Sequence, residues 1–288
     1  MLALIDLRRR IKSVINTQQI TQAMKTVATA KLKKAQRPLM EARPYWHSMP
    51  PFLSEVAFWQ RRFDHPLLAR REEKTIECMI ITSDKGLCGA FNANLLQEAF
   101  SFLKEKARST NVRLILMGKK AEIFFRRHPF PLSRVYSGDV DKFTPEEMRE
   151  LAQFIIQLYS YSKTDAVYTV YNEFKSILAP RITITKVLPI EWPEEEERNE
   201  GLMPDWEPEA EPILHTLLPK YVENQIFHSL FESQAAEHAA RMMAMENATK
   251  NAEELIEDLR LILNKIRQAS ITKELLEIMT AVEALSKK

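Results

Sequence analysis

Residues 220–288 read KYVENQIFHSLFESQAAEHAARMMAMENATKNAEELIEDLRLILNKIRQASITKELLEIMTAVEALSKK, with neither Gly nor Pro in the whole stretch. Ala, Leu, Met, Glu, Lys and Gln, the strongest helix formers, fill it. An unbroken helix of this length runs about 100 Å at about 1.5 Å per residue, too long for the core of a compact domain. Such a helix has to pack along a partner. Leu255, Ile262 and Ala269 alternate with Leu259 and Ile266 at steps of four and three. Ile271, Leu275, Ile278, Val282 and Leu285 repeat those steps on a rotated face. The pattern predicts a coiled-coil seam with a phase shift near Ala269.

The partner is expected at the other end of the chain. From residue 3 to about 60 the sequence reads as a second long helix. Leu4, Leu7, Ile11 and Val14 form a stripe, and Ile20, Met24, Val27, Ala28, Lys31 and Ala35 continue it about one residue out of phase. Pro38 and Pro44 are expected to kink or end this helix. Two seams at opposite ends of one chain predict an antiparallel coiled coil closed by whatever lies between them.

The middle changes period. Residues 77–82 form a short apolar run that reads as a buried strand. A turn, SDKGLCGAFN, leads to a helix from about Ala93 to Lys106. Val112 to Met117 reads as a strand, Lys119 to Arg127 as a short helix, and Val135-Tyr136 as a brief third strand. Thr144-Pro-Glu-Glu147 has the cap, the first-turn proline and the glutamate of a helix start, and that helix runs to about Tyr161. Ala166 to Tyr171 and Arg181 to Leu188 alternate as strands. The fold class expected is α/β: a long antiparallel coiled coil of terminal helices plus a central, mostly parallel, Rossmann-like α/β domain. The expected boundaries are 1–60, 61–190, an acidic loop at 191–212, and 213–288. That loop carries little that could build a core.

Composition narrows the function. Hydrophobic content of 45% and charged content of 28% belong to an ordinary folded protein. Cys78 and Cys88 are too few for a disulfide framework and lack a zinc spacing, so they read as reduced thiols. No apolar run is long enough to cross a bilayer. The basic, amphipathic start, MLALIDLRRRIK, runs straight into the helix, unlike a secretory or transit segment. The net charge of +2 hides an asymmetry: nine Lys and Arg against Asp6 up to Arg37, and ten acids against Arg198 from Glu191 to Glu211. Uneven charge of this kind points to partners.

Several constellations compete for a chemical role. The loop Ser83–Gly89 sits where an α/β protein would hold phosphate, yet GLCG is neither GxGxxG nor GxxxxGK[ST], and a structural turn is the better reading. Ser83 and Asp84 adjoin no base that would complete a nucleophilic set. The six histidines have no ligand spacing, and Met242, Met243 and Met245 read as packed seam. The basic N-terminal helix lacks interleaved aromatics for nucleic-acid stacking and is better suited to acidic protein surfaces. The polar interruption from Asn264 to Glu274 offers Arg267, Gln268, Ser270, Thr272 and Glu274 as docking groups.

Several of these stretches together resemble the γ-subunit family of F-type ATP synthases: NTQQITQAMKTVATAKLKKAQ at 16–36, TSDKGLCGAFN at 82–92, QAAEHAARMMAMENATKNA at 234–252 and NKIRQASITKELLEIM at 264–279. The resemblance implies a rotor shaft turning inside a ring of catalytic (β) and non-catalytic (α) subunits. Its α/β domain would join a small ε-type subunit and the membrane-embedded c-ring. It implies no catalytic residue, no cofactor, no metal, no nucleic acid partner and no membrane insertion, and a peripheral place on the cytoplasmic face of a bacterial plasma membrane. The family's contacts with the catalytic ring map onto Met24, Lys25, Arg241, Arg267, Gln268, Thr272 and Glu277. The ending Thr280–Lys288 departs from the small-residue run SGAAA of many relatives, and the Cys-bearing insertion of the chloroplast form is absent. The rival expectations are a nucleotide-dependent α/β enzyme and a coiled-coil nucleic-acid binder.

Overall fold

The computed structural model describes residues 2–59, 64–138, 143–177, 180–191 and 210–286. The chain runs α1 (Leu2–Trp59), β1 (Thr75–Ile81), α2 (Phe91–Lys106), β2 (Asn111–Met117), α3 (Lys119–Phe125), β3 (Leu132–Tyr136), α4 (Pro145–Ser160), β4 (Ala166–Glu173), β5 (Arg181–Leu188) and α5 (Ala210–Ser286). It divides into two compact units, residues 29–241 and residues 1–28 with 242–288.

In the larger unit five strands form one sheet in the order β3-β2-β1-β4-β5. β1 pairs in parallel with β2 and β4, and β2 with β3, while β5 closes the edge antiparallel to β4. A central strand of a parallel sheet is covered on both faces, which is why β1 and β4 are buried at almost every position. Ile76, Cys78 and Ile80 of β1 face α2 and α3 through Leu95, Ala99, Leu103, Ala121 and Phe125. Met79 and Ile81 face the other way, onto Leu151 and Ile155 of α4, Met49 and Leu53 of α1, and Leu218, Val222 and Ile226 of α5. Thr144 caps α4 as its sequence requires, with a reciprocal box to Glu147. At the end of β2, Gly118 has φ +92, and a Cβ there would lie 2.2 Å from the Thr82 carbonyl oxygen. Only glycine fits so close an approach.

Neither Pro38 nor Pro44 ends α1, and α5 passes through Pro219. The missing amide donors are outweighed by burial of flanking residues such as Leu39, Leu53 and Leu218. The expected acidic loop lies outside the described residues from 192 to 209, and its last part, 210–212, already belongs to α5.

In the smaller unit the first 28 residues run antiparallel to α5, as two cross-helix bonds show: Lys25 to Glu246 and Thr21 to Thr249. The seam differs in phase from the expectation. On α5 it runs Met245, Thr249, Ala252, Ile256, Leu259, Leu263 and Ile266, at steps of four and three. Leu259 and Ile266 lie on it, but Leu255 and Ile262 stand 39% and 45% exposed beside it, and Ala269 is exposed too. On α1 the stripe from Leu4 to Val14 continues in phase through Gln18, Thr21, Lys25 and Ala28, leaving Ile20 and Val27 outward. The expected one-residue slip does not occur: polar side chains hold seam positions, and the apolar residues beside them mimic a shifted stripe.

Candidate partner-contact sites

The loop after β1 is fixed from within. Asn92, in the first turn of α2, accepts the Ser83 amide hydrogen at 3.0 Å and donates to the Ser83 hydroxyl at 2.8 Å and to Cys88 Sγ at 3.1 Å. Asp84 Oδ1 accepts from the amides of Lys119 and Gly138, both at 2.9 Å, tying the loop to the ends of β2 and β3. Leu87 carries φ +62, a left-handed backbone usual for glycine, and its side chain is 62% exposed. Gly89 shares that left-handed backbone, with φ +59.

Arg241 of α5 reaches this loop. Its guanidinium donates to the carbonyls of Gly86 at 3.3 Å and Lys85 at 3.4 Å, and pairs with Glu237 at 2.6 Å. It also donates to His238 Nδ1 at 3.2 Å, which fixes that nitrogen as an acceptor because arginine offers no lone pair. Carbonyl oxygens turned toward a buried arginine make a clasp; they would repel phosphate rather than cradle it. Burial pushes the thiols of both Cys78 and Cys88 up, so neither is an activated nucleophile. Among the described residues no group of His, Cys, Asp and Glu is placed to hold a metal ion.

The smaller unit holds the other expected contact residues. Lys25 pairs with Glu246 at 3.0 Å, and Met24 is half-buried beside it. One turn away, Thr249 and Thr21 lie 2.8 Å apart, and each hydroxyl is also near a carbonyl of its own helix: Met245 at 2.8 Å and Gln18 at 3.0 Å. Arg267, Gln268, Thr272 and Glu277 are all exposed. Thr272 donates to the Gln268 carbonyl, and Glu277 lies 3.7 Å from Lys273. Met24 with Lys25, and Arg267 with Gln268 and Thr272, therefore make two local groups, while Arg241 belongs to the loop clasp. Periodicity alone missed Thr21, Glu246 and Thr249. The unbroken three-and-four spacing from Ile11 lands on Thr21, and that running back from Leu259 through Ile256 and Ala252 lands on Thr249, whereas no spacing marks Glu246.

Past the start of α1 the C-terminal helix has nothing alongside it among the described residues of its unit. Ile271, Leu275, Leu276, Ile278, Met279 and Val282 are each more than half exposed. A continuous apolar surface of that length marks an interface with another chain.

A family model described as ATP synthase matches residues 3–285. The ATP synthase gamma chain of Pelotomaculum thermopropionicum is 45% identical over 283 residues, covering 98% of this chain and 99% of the relative. That of Desulforamulus reducens is 44% identical over 282 residues, covering 97% and 98%. Among solved structures, a chain of the Euglena gracilis mitochondrial ATP synthase (OSCP/F1/c-ring, rotational state 3) superposes with a TM-score of 0.65 at 19% identity, covering 98% of this chain and 94% of that one. A chain of the Tetrahymena thermophila mitochondrial ATP synthase central stalk and c-ring gives 0.61 at 23%, covering 80% and 99%.

Proposed function

Because the chain belongs to the ATP synthase gamma chain family, we propose that it is the central rotor shaft of an F-type ATP synthase, carrying rotation of the c-ring to the catalytic subunits. The observation that carries this reading is the exposed apolar face from Ile271 to Val282, on a helix that outruns its partner. Such a face needs a surrounding sleeve, and the ring of α and β subunits supplies one. The shaft need not perform chemistry. A ring of two-state subunits requires only an asymmetric object at its centre to bias each member differently.

Within this reading Arg267, Gln268, Thr272 and Glu277 are contacts to the ring, offered on an exposed helix face. Met24 and Lys25 form a second contact group, and Arg241 acts by holding the loop of residues 83–89 in shape. The larger unit joins the ε-type subunit and the c-ring, and the chain sits peripherally at the cytoplasmic face of the membrane without entering it. No helix among the described residues is long and apolar enough to cross a bilayer.

The test is assembly with α, β and ε subunits, followed by paired measurement of ATP hydrolysis and ATP-driven proton pumping in the same membranes. Met24→Lys puts a new cation beside Lys25 and within reach of Glu246. Hydrolysis is expected to survive, with less pumping per ATP. Failure of the chain to assemble with the catalytic subunits overturns the rotor reading; unchanged pumping per ATP removes Met24 from the contacts.

A further inference from the structure

A cleft of about 770 Å³ lies between α2 and α3, on the sheet face away from α4. The rotor reading makes no use of it. Leu96, Phe100, Ile123 and Phe124 line it, with Leu87 at its mouth. Its aromatic rings are organised: Phe124 stacks on His128 with centroids 4.7 Å apart, and Phe100 lies 4.7 Å from the same imidazole. Its volume is that of sites that bury most of a small organic molecule.

The charge around this cleft has one sign. Lys120, Arg127 and His128 line it, and no Asp or Glu does. The Lys120 ammonium stands 3.9 Å from where a Cβ on Gly86 would be, over the loop end of the cleft. Nearby Arg126 is paired with Glu122, whereas among the described residues neither Lys120 nor Arg127 has an acidic partner. His128 Nδ1 is committed to the Phe124 carbonyl at 2.9 Å, which turns the ring into part of the wall. Helix α2 begins at the same end with no side-chain cap and no acid in its first turn. Unpaired cations beside an apolar, aromatic cavity select for a ligand with the complementary pairing: a flat apolar body and one negative charge.

We propose that this cleft is a binding site for an aromatic organic anion, a carboxylate or sulfonate whose ring lies against Phe100 and Phe124 while Lys120 and Arg127 take the charge. The inference is independent of the rotor reading, because it rests on the lining and charge of the cleft alone.

The probe is 8-anilinonaphthalene-1-sulfonate, titrated by fluorescence into the full chain. One saturable site is expected, weakened at least tenfold by Lys120→Glu and by Arg127→Glu and unaffected by Arg108→Glu at the far end of α2. Ala93→Trp, an exposed position on the cleft wall, should fill the space and abolish binding with the helical content unchanged. Absence of a saturable site overturns the proposal. So does saturable binding indifferent to all of these substitutions, which would place the dye on the apolar face from Ile271 to Val282 instead.

Discussion

Lys25 and Glu246 face each other across the helix pair at 3.0 Å, with their side chains 31% and 47% exposed. An ion pair this open contributes little, about 0.2–1 kcal/mol, and salt weakens it. A double-mutant cycle of Lys25→Gln and Glu246→Gln should return a coupling energy within that range, shrinking between low and high salt. A salt-independent coupling of several kcal/mol would show that the pair is sealed from water.

Leu259 is 6% exposed and Ile262 is 45% exposed, three residues apart on one helix. Leu259→Asp buries a charge without a partner and should cost several kcal/mol in urea unfolding. Ile262→Asp should stay within about 0.5 kcal/mol. Equal losses at both positions would return the seam to the phase that apolar spacing alone suggests.

The contrast between those two residues shows how far the sequence can be read. Freedom from Gly and Pro after Pro219, and the β-branched residues of β1 and β4, are local properties, and so the C-terminal helix and the existence of these strands follow from them. The seam is a relation between two helices. Thr21 and Lys25 occupy it because Thr249 and Glu246 stand opposite, a fact absent from either helix by itself. Ile20 and Val27, apolar and one residue away, supply a false trail. The grip of Arg241 on the Gly86 carbonyl spans 155 residues of chain, and no spacing rule links two such positions. The family resemblance marks Arg241, but its role as a clasp comes only from the geometry.

Leu87 holds a left-handed backbone with its side chain mostly in solvent. Leu87→Gly removes that steric cost and gives up little buried area. The variant should be more stable by about 0.5–1 kcal/mol in thermal or urea unfolding, after allowance for the looser unfolded chain. A loss of stability would mean that the leucine side chain packs more tightly than its exposure indicates.

Two glutamates should make stability depend on pH in opposite senses. Burial pushes the Glu73 carboxyl up, but hydrogen bonds from Lys106, Tyr168 and Lys186 pull it further down, to about 2. Its contribution is present above the ordinary glutamate pKa of 4.5 and is lost as the pH falls toward 2. That contribution is on the order of 2 kcal/mol, with allowance for partial exposure. Glu73→Gln should flatten the acid limb of the stability curve. Burial pushes Glu77 up instead, outweighing the smaller downward pulls of the Ser133 hydroxyl and the Arg113 charge. As pH rises past the ordinary glutamate range the unfolded chain loses this proton first, so stability falls. Glu77→Gln should therefore stabilise the chain at neutral pH and leave it unchanged in acid, as chemical unfolding at both pH values will show.

The two threonines inside the seam have a mechanical consequence. Each hydroxyl has a single proton and two acceptors in reach, one across the helix pair and one on its own helix. If torque prises the helices apart at this level, the Thr249 proton swings to the Met245 carbonyl while that of Thr21 stays on the Gln18 carbonyl, and no donor is stranded. Parting here costs only part of a hydrogen bond, whereas at an all-apolar rung it would expose hydrocarbon to water. This level of the pair is therefore a compliant point, able to yield under load and close again without losing alignment, as a torsion spring does.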